Sequence, residues 1–142
     1  MNPEFQQFTE VDAWMSIQAQ VAEELATVIG RMARDFATEM GWVNAIVLPS
    51  EEHKKLNNRY LGHDYATDVL TFPFDEGDAV CGEIYLDATV VAENANRFQV
   101  SVEEEYKRMI IHGVLHLLGH DDATDAERAE MRVLEDKYLK LL

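Results

Sequence analysis

His112-Gly113-Val114-Leu115-His116 sets two imidazoles four residues apart. In an α-helix that spacing places both on one face, because 3.6 residues complete a turn. Gly119 then offers a point where the helix stops and the chain reverses. Asp122, ten residues after the first histidine, can return to the same point with a carboxylate. Two nitrogens and one oxygen form a donor set for a single Zn2+ per chain that keeps one position open. Zinc in such a site lowers the pKa of bound water to about 7 and polarises a carbonyl or phosphoryl oxygen, so hydrolysis is the expected chemistry. Met109, Ile110, Ile111, Val114, Leu115, Leu117 and Leu118 make the same segment apolar almost all round, which implies burial. Buried imidazoles need polar partners, and a metal ion satisfies both. The structural alternative is a pair of core histidines with satisfied hydrogen bonds. His120 competes with Asp122 as third ligand, and Asp121 is an alternative cap for the turn.

The bond to be cut is narrowed by one position. Zincin metallopeptidases carry a Glu directly after the first histidine as general base, where this chain has Gly113. The spacing otherwise matches the metzincin pattern H-E-x-x-H-x-x-G-x-x-H, with Asp122 at its last ligand position. Without that carboxylate a metzincin-like peptidase is the weaker reading. Metal-assisted phosphodiester cleavage depends less on an adjacent carboxylate, because the ion neutralises developing charge directly. No residue is assigned as general acid or base.

The elements that must hold these residues can be read along the chain. Phe5 and Phe8 suggest a short opening strand, and Trp14, Ile17, Val21, Leu25, Val28, Met32 and Phe36 form one face of a long helix ending near Gly41, with Gly30 a possible bend. Trp42 to Leu48 reads as a strand stopped by Pro49, and Glu51 to about Tyr60 as a short helix. Val69 to Phe72 is a strand closed by Pro73, joined through the Asp75–Asp78 loop to a partner strand at Cys81 to Leu86. A helix follows from Thr89 to Phe98. Capping-box patterns at Ser101–Glu104 and Thr124–Glu127 open the metal helix and the last helix, whose packed face carries Met131, Leu134, Tyr138 and Leu141. The expectation is a single domain over residues 1–142 of the α+β class. It has a small mixed β-sheet packed with several helices, and its metal site lies on a buried helix followed by a Gly turn.

Composition removes several classes. With 12 Lys plus Arg against 27 Asp plus Glu, the formal net charge is −15. That argues against tight non-specific nucleic-acid binding, though a local basic cleft can coexist with an acidic exterior. No run of about 18 apolar residues is present to span a membrane. Met1-Asn2-Pro3-Glu4-Phe5 lacks the basic start and apolar centre of a signal peptide. Cys81 stands alone, so no internal disulfide forms and a reducing cytoplasm is the expected location.

The run from His112 to Gly119 with the acidic pair behind it resembles the signature of the YbeY family of rRNA maturation endoribonucleases. Leu56-Asn57, Tyr60, Asp64 and Thr67-Asp68-Val69-Leu70-Thr71-Phe72-Pro73 resemble that family's second block. Gly82-Glu83-Ile84 resembles its third, and Met131 with Glu135 its C-terminal helix. The resemblance implies a zinc-dependent endoribonuclease acting on single-stranded RNA in rRNA processing, especially at the small-subunit 3′ end. It also implies association with ribosomal particles, where a ribosomal protein would bring an acidic nuclease to its RNA. His112, His116 and Asp122 would hold the zinc. Two departures stand out: the family's third ligand is usually His, and the Arg that usually follows the second-block tyrosine is Leu61 here. Arg59 is the nearest guanidinium, either a phosphate contact or an exposed helix-end residue. Thr67 and Asp68 either support the site or cap the loop, and His63 is by default a surface residue. The rival class is a ribosome-assembly or quality-control binding factor with a mainly structural zinc.

Overall fold

The stripe from Trp14 to Met32 is buried along α1 (Pro3–Asp35) in the computed structural model, which describes residues 3–61 and 69–142. Pro3 is the first helical residue, a position where its missing N–H costs nothing. The segment carrying Phe5 and Phe8 is thus helical and continuous with the rest of α1, not a strand, and the helix runs through Gly30. It ends six residues before Gly41. Ala37 takes a left-handed conformation (φ 53), and the Ala37 and Thr38 amides donate to the Arg34 and Ala33 carbonyls to close the helix.

The chain continues as β1 (Glu39–Leu48), α2 (Ser50–Leu61), β2 (Val69–Glu76), β3 (Ala79–Asp87), α3 (Ala88–Phe98), α4 (Val102–Leu117) and α5 (Asp125–Leu139). The sheet order is β1-β3-β2, with β1 parallel and β2 antiparallel to the central β3. This is the expected α+β fold with a small mixed sheet. The β2–β3 hairpin turns at Gly77-Asp78, where Gly77 has φ +70, a value open to glycine at the first position of a tight hairpin loop. Pro73 does not close β2. It pairs with Gly82, and the strand runs on to Glu76. A strand at the sheet edge accommodates a residue that cannot donate to the ladder.

Gly82, Ile84 and Leu86 of β3 share a face with Val43, Ala45 and Val47 of β1 and with Val69, Thr71 and Pro73 of β2. Helix α4 lies on that face, and α1, α3 and α5 complete the core around Tyr106, Ile111, Val114, Leu115, Met131 and Tyr138. Two glycines set the depth of this contact. A Cβ at Gly113 would lie 2.8 Å from Ile84 Cγ2, and one at Gly82 would lie 2.6 Å from Leu117 Cδ2 and 2.9 Å from the Phe72 carbonyl oxygen. The last helix begins as its sequence signals. Thr124 Oγ1 accepts from the Glu127 amide at 3.1 Å and the Glu127 carboxylate accepts from the Thr124 amide at 3.0 Å. Leu141 lies beyond α5 and is exposed, so Met131 and Tyr138 carry its buried face.

Candidate metal centre

The last turn of α4 and the reversal after it assemble the site. Leu118 caps the helix, Gly119 follows with φ +100, and two amides bond backwards: Gly119 to the His116 carbonyl and His120 to the Leu115 carbonyl, each at 3.0 Å. This paired closure needs a left-handed residue, which is why a glycine stands there. The chain then folds back over the face bearing the two histidines. His112 Nε2 and His116 Nε2 are 3.1 Å apart, and Asp122 Oδ2 lies 3.3 Å from the first and 3.5 Å from the second. These three are the metal-capable group found among the described residues.

The donors fit a divalent ion better than they fit one another. A tetrahedral zinc with donors at about 2.0–2.1 Å separates those donors by about 3.3 Å. The three observed edges, 3.1 to 3.5 Å, bracket that value. By contrast, with His112 Nδ1 turned to Glu135, neutral rings place at most one proton within the triangle, so only one of its three edges, such as His116 Nε2 to His112 Nε2 at 3.1 Å, can be a hydrogen bond. The histidine side chains are 23% and 22% exposed and that of Asp122 is 40% exposed, so one side of the triangle faces solvent.

A carboxylate behind His112 fixes the orientation of its ring. Glu135 Oε2 lies 2.8 Å from His112 Nδ1, so Nδ1 carries the proton it donates and the Nε2 lone pair is directed at the other two donors. Glu135 is 8% exposed, on the same stripe of α5 as Met131 and Tyr138. Its other oxygen, Oε1, accepts from Arg108 Nη1 at 3.0 Å, while Arg108 Nη2 donates to Asp136 Oδ1 at 2.7 Å. Burial works against the Arg108 charge. The hydrogen bonds to Asp136 and then Glu135 outweigh it and hold the pKa above the ordinary guanidinium value. The supporting carboxylate is therefore Glu135. Asp68, the sequence candidate for that part, lies with His63, Asp64 and Thr67 outside the described residues. The signal that points to Glu135 in the sequence is a charged residue placed on the apolar stripe of an amphipathic helix, four residues after Met131.

His120 stays out of the triangle; its ring meets Phe36 edge-on at 4.6 Å between centroids. Asp121 is exposed, and Arg59 is exposed in the last turn of α2. Cys81 is buried in the sheet, consistent with packing. His53, also buried, donates from Nε2 to the Tyr85 carbonyl at 3.0 Å and belongs to the contact between α2 and β3.

A family model described as Endoribonuclease YbeY matches residues 6–142. The chain belongs to the YbeY family. A relative from Chlorobium phaeovibrioides named Endoribonuclease YbeY is 47% identical over 100 residues, spanning 70% of this chain and 68% of its own. Another of the same name from Chlorobaculum tepidum is 43% identical over 115 residues, spanning 81% and 84%. Among solved structures, the solution structure of TM1509 from Thermotoga maritima superposes with a TM-score of 0.59 at 36% identity, covering 86% of this chain and 81% of that one. The YbeY family assignment thus extends from residue 6 to the C-terminal helix, across the blocks that carry the resemblance.

Proposed function

We propose that this chain, acting as one domain over residues 1–142, is a zinc-dependent endoribonuclease. It hydrolyses single-stranded RNA in rRNA maturation, at the small-subunit 3′ end, and takes part in ribosome quality control in the cytoplasm. The observation that carries the reading is the triangle of His112 Nε2, His116 Nε2 and Asp122 Oδ2, with edges of 3.1, 3.3 and 3.5 Å. These three residues would hold one ion per chain, open to solvent on the Asp122 side. When bound, the ion supplies Lewis acidity toward a phosphoryl oxygen and makes water a stronger acid. The chain's own residues do the rest. Glu135 holds the His112 proton at Nδ1, the Gly119 turn keeps Asp122 over the imidazoles, and Arg59 meets a substrate phosphate from α2.

Two features separate this from its rivals. The Gly113 position presses against Ile84, so the side chain a peptidase needs there has no room, which supports phosphodiester over peptide chemistry. His120 turns to Phe36 and does not complete a tetrahedron, which supports an open, catalytic ion over a closed, structural one. The net charge of −15 favours the binding-factor reading, and also favours delivery to RNA by a ribosomal protein. Among the described residues no helix is long and apolar enough to cross a membrane.

The deciding experiment incubates zinc-loaded protein with an end-labelled single-stranded RNA. Cleavage is expected from the wild type and absent from His116→Ala, whose circular dichroism remains that of a folded chain. Arg59→Ala is expected to slow cleavage with unchanged zinc content; wild-type rates would remove Arg59 from the site. An inactive but fully loaded wild type would leave the binding factor as the better reading.

A further inference from the structure

Arg108 stands one helical turn before His112 on α4 and faces α5, where Glu135 and Asp136 are adjacent. We infer that Arg108 is a positioning residue of the metal centre, acting through Glu135 on the His112 imidazole. This rests on the metal-centre reading proposed above.

Glu135 divides its oxygens between two partners: Oε1 to Arg108 at 3.0 Å and Oε2 to His112 at 2.8 Å. The last torsion of a glutamate is broad, so a carboxylate held by one contact swings about that contact. Held at both oxygens, it has one plane. Arg108 can impose that plane because its own is set by the second bond, from Nη2 to Asp136 Oδ1 at 2.7 Å. A guanidinium with two nitrogens anchored on two carboxylates has a fixed direction, which a lysine ammonium lacks. The Glu135 side chain is 10% exposed, so water has little access to replace the guanidinium. The connected series Asp136, Arg108, Glu135, His112 thus runs from a half-exposed surface carboxylate (49%) to the donor triangle. Its effect at the far end is to aim Nε2 of His112. The Arg108 charge also offsets one of two neighbouring carboxylates that would otherwise repel across α5.

The test measures zinc affinity by competition with a chromophoric chelator, and the visible spectrum of the cobalt-loaded protein, for wild type, Arg108→Met, Arg108→Lys, Glu135→Gln and the Met/Gln double variant. Circular dichroism melts in excess chelator report the fold separately. Arg108→Met is expected to weaken zinc binding about 10-fold, the lower end of the range for groups that orient a metal-ligating histidine. Glu135→Gln is expected to weaken it at least as much, and the double variant no more than Glu135→Gln alone, because the two residues act in series. Arg108→Lys recovers part of the loss. The cobalt band of Arg108→Met shifts in the same direction as that of Glu135→Gln. If Arg108→Met does not fold, Arg108→Lys and Asp136→Asn carry the test. Asp136→Asn loosens the guanidinium without touching Glu135, and a measurable loss of affinity with a shifted cobalt band is expected. Wild-type affinity and spectrum in the folded Arg108 or Asp136 variants would overturn the inference, as would losses that simply add in the double variant. A wild type that binds neither zinc nor cobalt would instead overturn the metal-centre reading itself.

Discussion

The two faces of α4 are built by opposite means. Toward the sheet, Gly113 and Leu117 meet Ile84 and Gly82 at distances that leave no room for one extra carbon. Toward α5, Arg108 and His112 meet Glu135 and Asp136 through directed polar contacts of 2.7 to 3.0 Å between partly buried side chains. The apolar face has no orientation of its own beyond shape, and it fixes how deep the helix sits. The polar face fixes where individual atoms point. A chain divided this way separates stability from chemistry on a single helix, so substitutions on the two faces have different signatures.

The largest effect is expected on the sheet side. Ile84→Ala removes a side chain with no solvent exposure from against Gly113 and should destabilise the fold by about 2–5 kcal/mol, read from chemical denaturation in the presence of chelator. A loss under about 1 kcal/mol would mean that the sheet face does not set the helix depth. On the polar side, Asp122→Ala should weaken zinc binding by more than the about 100-fold seen for outer partners of ligands, while the metal-free melting temperature stays within a few degrees. Elemental analysis that still finds one metal per chain would dismiss Asp122 as a ligand. Gly82→Ala tests how rigid the close approach is. Leu117 can swing aside but the Phe72 carbonyl cannot, so a cost of about 1–3 kcal/mol is expected, with zinc affinity reduced only through the fold.

The smallest effect lies behind the polar face, where α5 meets α1. Tyr138 is fully buried, and its hydroxyl donates to Asp35 Oδ2 at 2.8 Å, tying α5 to the end of α1. Burial, then the Asp35 hydrogen bond, pushes the Tyr138 pKa from 10.0 up to about 12. A folded pKa above the unfolded one means that the neutral hydroxyl is favoured by folding. This contribution is complete below pH 10 and is lost as pH rises toward 12. Tyr138→Phe should lower stability by about 1 kcal/mol at neutral pH and flatten the alkaline decline relative to wild type. Parallel alkaline profiles would show that the hydroxyl contributes nothing.

Local features of this molecule are legible in its sequence, and features made by distant partners are not. The α4 histidines, the Gly119 reversal and Asp122 lie within one short stretch, and helix geometry relates them directly. The Thr124 capping box and the Gly77 hairpin are equally local. Pro73 misleads because its tolerance depends on β2 being an edge strand, which only the sheet order decides. The end of α1 misleads because Ala37 adopts a conformation usually left to glycine, and the glycine nearby lies in β1 instead. Phe5 and Phe8 mislead because aromatic residues favour strands by type, while their three-residue spacing is that of a helix face. Glu135 comes to His112 and to Arg108 across separations of 23 and 27 residues, and no periodicity encodes that meeting.

The Tyr138–Asp35 bond closes a span of 103 residues. A growing polypeptide must therefore add the 103 residues that follow Asp35 before α5 can be seated on α1, and Glu135 travels on that helix. Both imidazoles and the carboxylate are already made by then, but the group that steers the first imidazole arrives afterwards. The corner at His112 is thus completed only after the helix that carries its imidazoles.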